Sequence, residues 1–100
     1  MRLLLEHGAN IEAKSGAPII EAARRGRKAV VRLLLEHGVN IEAKDSSGDT
    51  PLIAAAGCGH EAVVSLLLEH GANIEAMNLR GFTAYDLAKN ASIRELLRSC

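Results

Sequence analysis

One eleven-residue string that is written three times restricts the fold of this chain more than any other feature. LLLEHGANIEA occupies residues 3–13 and 66–76, and LLLEHGVNIEA occupies residues 33–43, so the offsets are 30 and 33 residues. A near-identical string at such a period is typical of a stacked array, in which one supersecondary unit packs on copies of itself. We therefore expect the repeated residues to do the stacking, and any specificity to lie where the copies differ.

The composition indicates small, closely packed helices and argues against several classes of function. Hydrophobic residues make up 48% of the 100 residues but aromatic ones only 2%, so the core must consist of Leu, Ile, Val and Ala. Twelve basic and twelve acidic side chains cancel, which argues against nucleic acid or an anionic membrane as the partner. No apolar run approaches the roughly 18–20 residues of a membrane span. Because Cys58 and Cys100 are too few for a disulfide framework, we expect an intracellular, cytoplasmic location.

Residues 45–76 predict a unit with the order turn, short helix, longer helix, loop. Residues 45–48, Asp-Ser-Ser-Gly, have the chemistry of a tight turn. Thr50 and Pro51 predict a helix start, because a threonine hydroxyl caps free amides and proline suits the first helical position. Residues 60–69 predict a second helix that is apolar around most of its circumference, so neighbouring helices must cover it on several sides.

The motif Thr-Pro-Leu-Ile-Ala-Ala at residues 50–55, with Gly59-His60 and Gly71-Ala72-Asn73, resembles the ankyrin repeat. The resemblance covers essentially the whole chain. It implies an all-α ankyrin-repeat solenoid of stacked helix–turn–helix units with protruding turns or hairpin loops. Ile53 stands where the family usually has a histidine that hydrogen-bonds across the loops, so we expect that tie to be missing. His60 matches the family's inter-helix histidine, and the resemblance implies a structural role for it.

The repeats divide the chain into one array whose ends differ from its middle. We expect a partial repeat at residues 1–13, a repeat with a shortened turn at 14–43, a full repeat at 44–76, and a C-terminal capping repeat at 77–100 with a shortened link between its helices. Because residue 1 aligns with residue 31, the chain is expected to begin inside a second helix, with Leu3, Leu4 and Leu5 partly uncovered. This start indicates a fragment of a longer array or a truncated first unit.

No group of titratable residues predicts catalysis, a cofactor or a metal site. His7, His37 and His70 recur at one position, and stacked helices lie roughly 8–10 Å apart, so these side chains form a row and do not converge on one ion. We interpret them as helix-terminal histidines that suit the negative end of the helix dipole. Cys58 is either an exposed, modifiable thiol or, as we prefer, a small turn residue. We therefore expect that the protein is not an enzyme.

The resemblance implies that a protein partner lies against the turns and the exposed side of the first helices. Carried over position by position, the candidate contacts are Lys14, Arg24, Arg25, Lys44, Ser46, Ser47, Asp49, Cys58, Met77, Leu79, Arg80 and Phe82. Basic residues outnumber the one acid in this set, so we expect Arg24 and Arg25 to attract an acidic segment of the partner. Leu79, Arg80 and Phe82 are the expected anchors. The alternative for Phe82 is that it folds back over the last repeat as part of the cap.

Two functions remain open at this point. The leading one is a non-catalytic protein-binding module, which the individual sequences of the turns favour. The other is a structural spacer within a longer array whose function lies in upstream domains, which the near-identity of the copies favours. We expect a monomer, with self-association through the uncapped N-terminal helix as the alternative.

Overall fold

The computed structural model describes residues 17–98, which form helices and turns without a strand in that range. The helices are α1 (Ala17–Arg24), α2 (Lys28–Glu36), α3 (Pro51–Cys58), α4 (Glu61–Glu69), α5 (Ala84–Leu87) and α6 (Ala91–Arg98). They are the first and second helices of successive units, so the all-α helix–turn–helix order is confirmed. The partial repeat at 1–13, its leucines, the N-terminal helix expected to self-associate, and Lys14 all lie outside the described residues.

The helices stack in two rows. The first helices α1, α3 and α5 pack against one another in that order, and the second helices α2, α4 and α6 do the same. Each first helix also packs against the second helix of its own unit. This arrangement places the turns between units side by side along one edge, because each turn leads into the next first helix.

Helix α3 is the most enclosed element. Its residues from Pro51 to Ala56 are all buried, because α1 and α5 pack on either side of it and α4 packs across it. Its alanines allow this close approach, since a larger side chain would separate the helices. The predicted start is confirmed: the Thr50 hydroxyl accepts a hydrogen bond from the Ile53 amide at 3.2 Å. The helix ends at Cys58, with Gly59 as its C-cap.

In the last unit, the first helix is the shortened element. Helix α5 has four residues, whereas α1 and α3 have eight each. A reciprocal pair of bonds stabilises this single turn: the Thr83 hydroxyl accepts from the Asp86 amide at 3.2 Å, and the Asp86 carboxylate accepts from the Thr83 amide at 2.9 Å. Helix α6 then buries Ile93 and Leu97 and exposes its charged residues. Two satisfied amides make so short a helix possible.

Equivalent residues of the second helices α2 and α4 differ in how far neighbouring helices bury them, although the two sequences are nearly identical. Leu66 on α4 is 2% exposed, whereas Leu33, at the same place in the string on α2, is 45% exposed. Helix α4 lies between two other helices of its row, α2 and α6. Among the described residues, α2 has a neighbour from this row on one side only, namely α4. The burial of a repeated residue therefore depends on its neighbours and not on its own string.

Candidate functional site

Two turns protrude between the units and carry most of the predicted contact residues. We call residues 45–49 tip A and residues 78–82 tip B. In tip A the Asp45 Oδ1 accepts hydrogen bonds from the amides of Ser47 and Asp49, each at 2.9 Å. The Asp45 amide also donates to the Asp49 carbonyl at 3.1 Å. The aspartate that begins the turn therefore closes it with its side chain and its backbone.

Tip B repeats this geometry with an asparagine in place of the aspartate. The Asn78 Oδ1 accepts from the Arg80 amide at 2.9 Å and from the Phe82 amide at 3.1 Å. The Asn78 amide donates to the Phe82 carbonyl at 3.0 Å. Each tip is therefore a closed turn with a defined backbone, and the two differ in whether the closing side chain carries a charge.

The two tips are joined to each other. The Leu79 amide donates to the Ser47 carbonyl at 3.0 Å, and the Asn78 side-chain amide donates to Asp49 Oδ1 at 2.9 Å. Gly48 makes this approach possible: its φ is +81°, and a Cβ atom there would lie 2.7 Å from the Leu79 nitrogen. These bonds link the two turns although a buried Ile53, and not a histidine, stands at position 53. The tips therefore form one connected edge.

Arg24 connects tip A to the end of α1. Its Nη2 lies 2.8 Å from Asp45 Oδ2 and 3.8 Å from Asp49 Oδ2, and its Nη1 lies 3.7 Å from Glu21. The hydrogen bond to Asp45 outweighs burial and, with the nearby carboxylates, raises the pKa of the Arg24 guanidinium above its ordinary value. Arg24 is thus a structural tie between two repeats.

The carboxyl of Asp45 is the other half of this tie. Burial raises the pKa of Asp45. The hydrogen bonds from the Asp49 amide, Arg24 and the Ser47 amide together lower it by more than burial raises it, so the net pKa lies below the ordinary 3.8. The carboxylate is therefore held in its charged form by three donors. The neighbouring Arg25 is also paired, with its Nε 2.6 Å from Glu21 Oε2 on the exposed face of α1. Both arginines that were expected to attract an acidic partner already contact carboxylates of this chain.

His60 makes the second tie between units. Its Nε2 lies 3.0 Å from the Arg24 carbonyl oxygen, and because a carbonyl only accepts, Nε2 must carry the proton. The ring occupies the space beside Gly26, where any Cβ atom would collide with it. His60 thus joins the start of α4 to the end of α1 in the preceding unit, a structural role of the kind that its position implied.

Tip B and the residues beside it concentrate the exposed apolar surface. The described residues expose six large apolar side chains, of which four lie in residues 77–85: Met77, Leu79, Phe82 and Tyr85. Leu79 is 79% exposed, Met77 51% and Phe82 40%. Exposed apolar residues grouped in this way are typical of interaction surfaces. Sequence reasoning missed Tyr85 because it aligns with Leu52 of the repeat motif, whose residues were expected to do the stacking; Leu52 itself is fully buried.

Comparison with known proteins identifies the family. A family model for ankyrin repeats, in three copies, matches residues 1–78 and 22–98. The chain belongs to the ankyrin repeat family. Among solved structures, the ankyrin repeat domain of Bcl-3, described as a unique member of the IkappaB protein family, matches with a TM-score of 0.85 and 36% sequence identity. That match covers 97% of this chain and 44% of the Bcl-3 chain, so this chain spans less than half of that one. A comparison with curated proteins gives no match.

Ankyrin repeats are in general protein–protein interaction modules, and they are typically non-catalytic. The described residues of this ankyrin array contain no group of three or more His, Cys, Asp and Glu side chains that could hold a metal ion. His37 and His70 are the C-caps of α2 and α4, the helix-terminal positions expected for them. None of the helices within residues 17–98 is long and apolar enough to cross a membrane.

The ankyrin tips bring some of the predicted contact residues together and leave others apart. Ser47, Asp49 and Leu79 share the bonds that join the tips, and the Lys44 Nζ donates to the Met77 carbonyl at 3.2 Å. Ser46, Arg80 and Phe82 are exposed on the tips themselves. Cys58 is an exposed free thiol at the end of α3, and within residues 17–98 no hydrogen bond joins it to either tip.

Proposed function

We propose that this ankyrin array is a non-catalytic protein-binding module whose partner contacts tip A, tip B and the exposed side of the first helices. The observation that carries the proposal is Leu79, which is 79% exposed on a turn, where water contact would otherwise favour a polar residue. Burying an apolar side chain of this size against a partner is worth about 1.5–3 kcal/mol. A partner that covers tip B recovers this free energy.

The rigidity of the tips supports the same proposal. Leu79 projects from a backbone that is held by Ser47 through its own amide and by Asp49 through Asn78. A side chain presented on an ordered backbone loses less conformational entropy on binding than one on a mobile loop. The polar residues of tip A, with Ser46 and Ser47 exposed, supply a hydrophilic rim beside the apolar centre, as protein interfaces commonly have.

An intracellular, cytoplasmic location is part of the proposal. Its support is Cys58, an exposed thiol that is free in the structure and that suits a reducing compartment.

Site-specific photo-crosslinking tests the proposal. A photoreactive benzoylphenylalanine is placed at Leu79 or Ser46 on the tips, and at Ala62, an exposed residue of α4, as the matched control. After irradiation in an extract of the source cells, we expect one protein to be captured from positions 79 and 46 but not from 62. An excess of the unlabelled protein should suppress the capture, because the site is saturable.

Capture from position 62 at the same level as from the tips would contradict a binding surface on the tips. If neither tip position captures a competable partner, the proposal fails and the alternative of a structural spacer within a longer array is favoured.

A further inference from the structure

We propose that the partner segment is acidic and apolar, with carboxylates that pair with Lys44 and Arg80 on either side of an apolar side chain that packs on Met77 and Leu79. We call these four residues the docking patch. The inference rests on the proposed function and deepens it, because it assigns a chemistry to the partner and moves the attracting charge from Arg24 and Arg25 to two other residues.

The first step is which basic side chains are available for a partner. Arg24 is within ion-pair distance of Asp45, Asp49 and Glu21, and Arg25 lies 2.6 Å from Glu21. By contrast, no carboxylate in the part of the chain that the structure describes lies within ion-pair distance of Lys44 or Arg80. At and beside the tips, Lys44 and Arg80 are therefore basic side chains without a carboxylate partner among the described residues.

The second step is where these charges lie relative to the exposed apolar side chains. The Lys44 ammonium donates to the Met77 carbonyl at 3.2 Å, which places it directly beside Met77. Arg80 follows Leu79 in tip B, and its amide is fixed to Asn78 at 2.9 Å. All four side chains of the docking patch are exposed. Two exposed cations thus neighbour two exposed apolar side chains, Lys44 through its contact with Met77 and Arg80 as the residue after Leu79.

The third step is the state of the acidic side chains nearby. Asp45 accepts hydrogen bonds from Arg24 and from two amides of its own turn. Asp49 accepts a hydrogen bond from Asn78 and lies near Arg24. Asp86 accepts from the Thr83 amide in the capping of α5. These three carboxylates already accept hydrogen bonds within the chain, whereas Lys44 and Arg80 pair with no carboxylate of the described residues, so an acidic partner segment is favoured over a basic one. The chain is neutral as a whole, yet the docking patch favours an anionic partner.

The apolar component of the docking patch favours a peptide over a nucleic acid as the anion. Single-stranded nucleic acids are held by aromatic side chains that stack on the bases, together with a row of basic residues. The docking patch offers the flexible aliphatic side chains of Met77 and Leu79, which suit an apolar side chain of a peptide.

Selection from a random peptide library displayed on phage tests the inference directly. The full chain is immobilised, and we expect the enriched peptides to carry Asp or Glu on both sides of an apolar residue. In fluorescence polarisation, the K44E/R80E variant should bind an enriched peptide at least roughly tenfold more weakly, since it reverses two charges at the interface. The same peptide with its acids replaced by Lys should bind the K44E/R80E variant better than it binds the wild type.

The matched control is K28E/R32E, which makes the same change of charge at two exposed residues of α2. It should bind the enriched peptide within about twofold of the wild type, as only long-range screened charge is altered. Thermal unfolding by circular dichroism should show that both double variants stay folded, because all four positions are exposed and outside any ion pair within residues 17–98. K44E/R80E should melt at most a few degrees lower, since it also loses the exposed bond from Lys44 to the Met77 carbonyl, worth about 0.5–1 kcal/mol.

Three results would overturn the inference: no excess of acidic residues in the enriched pool, equal loss of binding in both double variants, or a 20-nucleotide single-stranded DNA that binds as tightly as the best peptide. Its failure is distinguishable from failure of the proposed function. If Leu79 still captures a partner by cross-linking and K44E/R80E does not weaken that capture, the partner's assigned chemistry is wrong while binding at the tips stands.

Discussion

Replacing Asp45 by asparagine separates the charge of the inter-repeat tie from its hydrogen bonds. Asn78 already occupies the equivalent place in tip B and closes that turn through its side-chain oxygen. An asparagine at position 45 is therefore expected to keep the two bonds to the amides of tip A and to lose only the ion pair with Arg24. Asp45→Ala, by contrast, removes all three interactions of the side chain.

The magnitudes follow from these contacts. The Arg24 side chain is 40% exposed and that of Asp45 19%, so solvent weakens their pairing and we assign about 1 kcal/mol to it. The two amide bonds contribute about 1 kcal/mol each. The free energy of unfolding at pH 7 should therefore fall by about 1 kcal/mol in Asp45→Asn and by about 3 kcal/mol in Asp45→Ala. For a chain of this length, Asp45→Asn should lower the melting temperature by roughly 4–8 °C.

The pH dependence has a definite sign. The folded pKa of Asp45 lies below its ordinary value of 3.8, so the stability that its charge contributes is fully present above the unfolded pKa. It is lost as the pH falls through 3.8 toward the lower folded pKa. The difference in unfolding free energy between the wild type and Asp45→Asn should be constant between about pH 7 and pH 5 and should shrink below about pH 4.

Urea unfolding followed by circular dichroism, at a series of pH values, measures this difference. Asn78→Asp serves as the reverse exchange, since it places a carboxylate 2.9 Å from Asp49, and it should destabilise the protein at neutral pH. Equal stability of the wild type and Asp45→Asn at pH 7, or a difference that persists unchanged to pH 2, would refute the role of the Arg24–Asp45 pair.

Three further predictions concern single side chains. Leu66→Ala should lower the free energy of unfolding by about 2–5 kcal/mol and Leu33→Ala by less than half as much, because Leu66 is 2% exposed and Leu33 45%. Equal losses in urea unfolding would contradict this difference in burial. Gly48→Ala should destabilise more than Gly81→Ala, since both have φ above +80° but only at Gly48 does a Cβ atom meet Leu79; indistinguishable melting temperatures would exclude the close approach of the tips. His60→Ala should cost about 1 kcal/mol through loss of the bond to the Arg24 carbonyl, and an unchanged urea midpoint would show that this bond adds nothing.

The repeated string was sufficient to predict the order of the helices and the start of α3, because capping and stacking depend on residues that lie close together in the chain. The Thr50–Pro51 start needs contacts only three residues away. The tie between Arg24 and Asp45 joins residues 21 positions apart, and the next unit does not repeat it, because the residue equivalent to Arg24 there is Gly57. Sequence reasoning placed Arg24 on the binding surface, since local spacing does not show which carboxylate lies opposite.

Burial was the other property that the string did not predict. Identical leucines differ in exposure according to which helices pack beside them, as Leu33 and Leu66 show. Met77 and Leu79, which were predicted as contact residues on a turn, are exposed, and each follows the repeated string in a segment that differs between copies. Phe82, for which the sequence allowed an interface or a cap, is 40% exposed.

The central claim is that tip B binds a protein partner, and paired measurements on Leu79→Ala test it most directly. The affinity for the partner captured from position 79 is measured by titration calorimetry, and the melting temperature of the free variant by circular dichroism. We predict that Leu79→Ala weakens binding at least about fivefold, as loss of an interface anchor does, with an unchanged melting temperature. Unchanged affinity, or a loss of affinity that merely follows a fall in melting temperature, would contradict the claim.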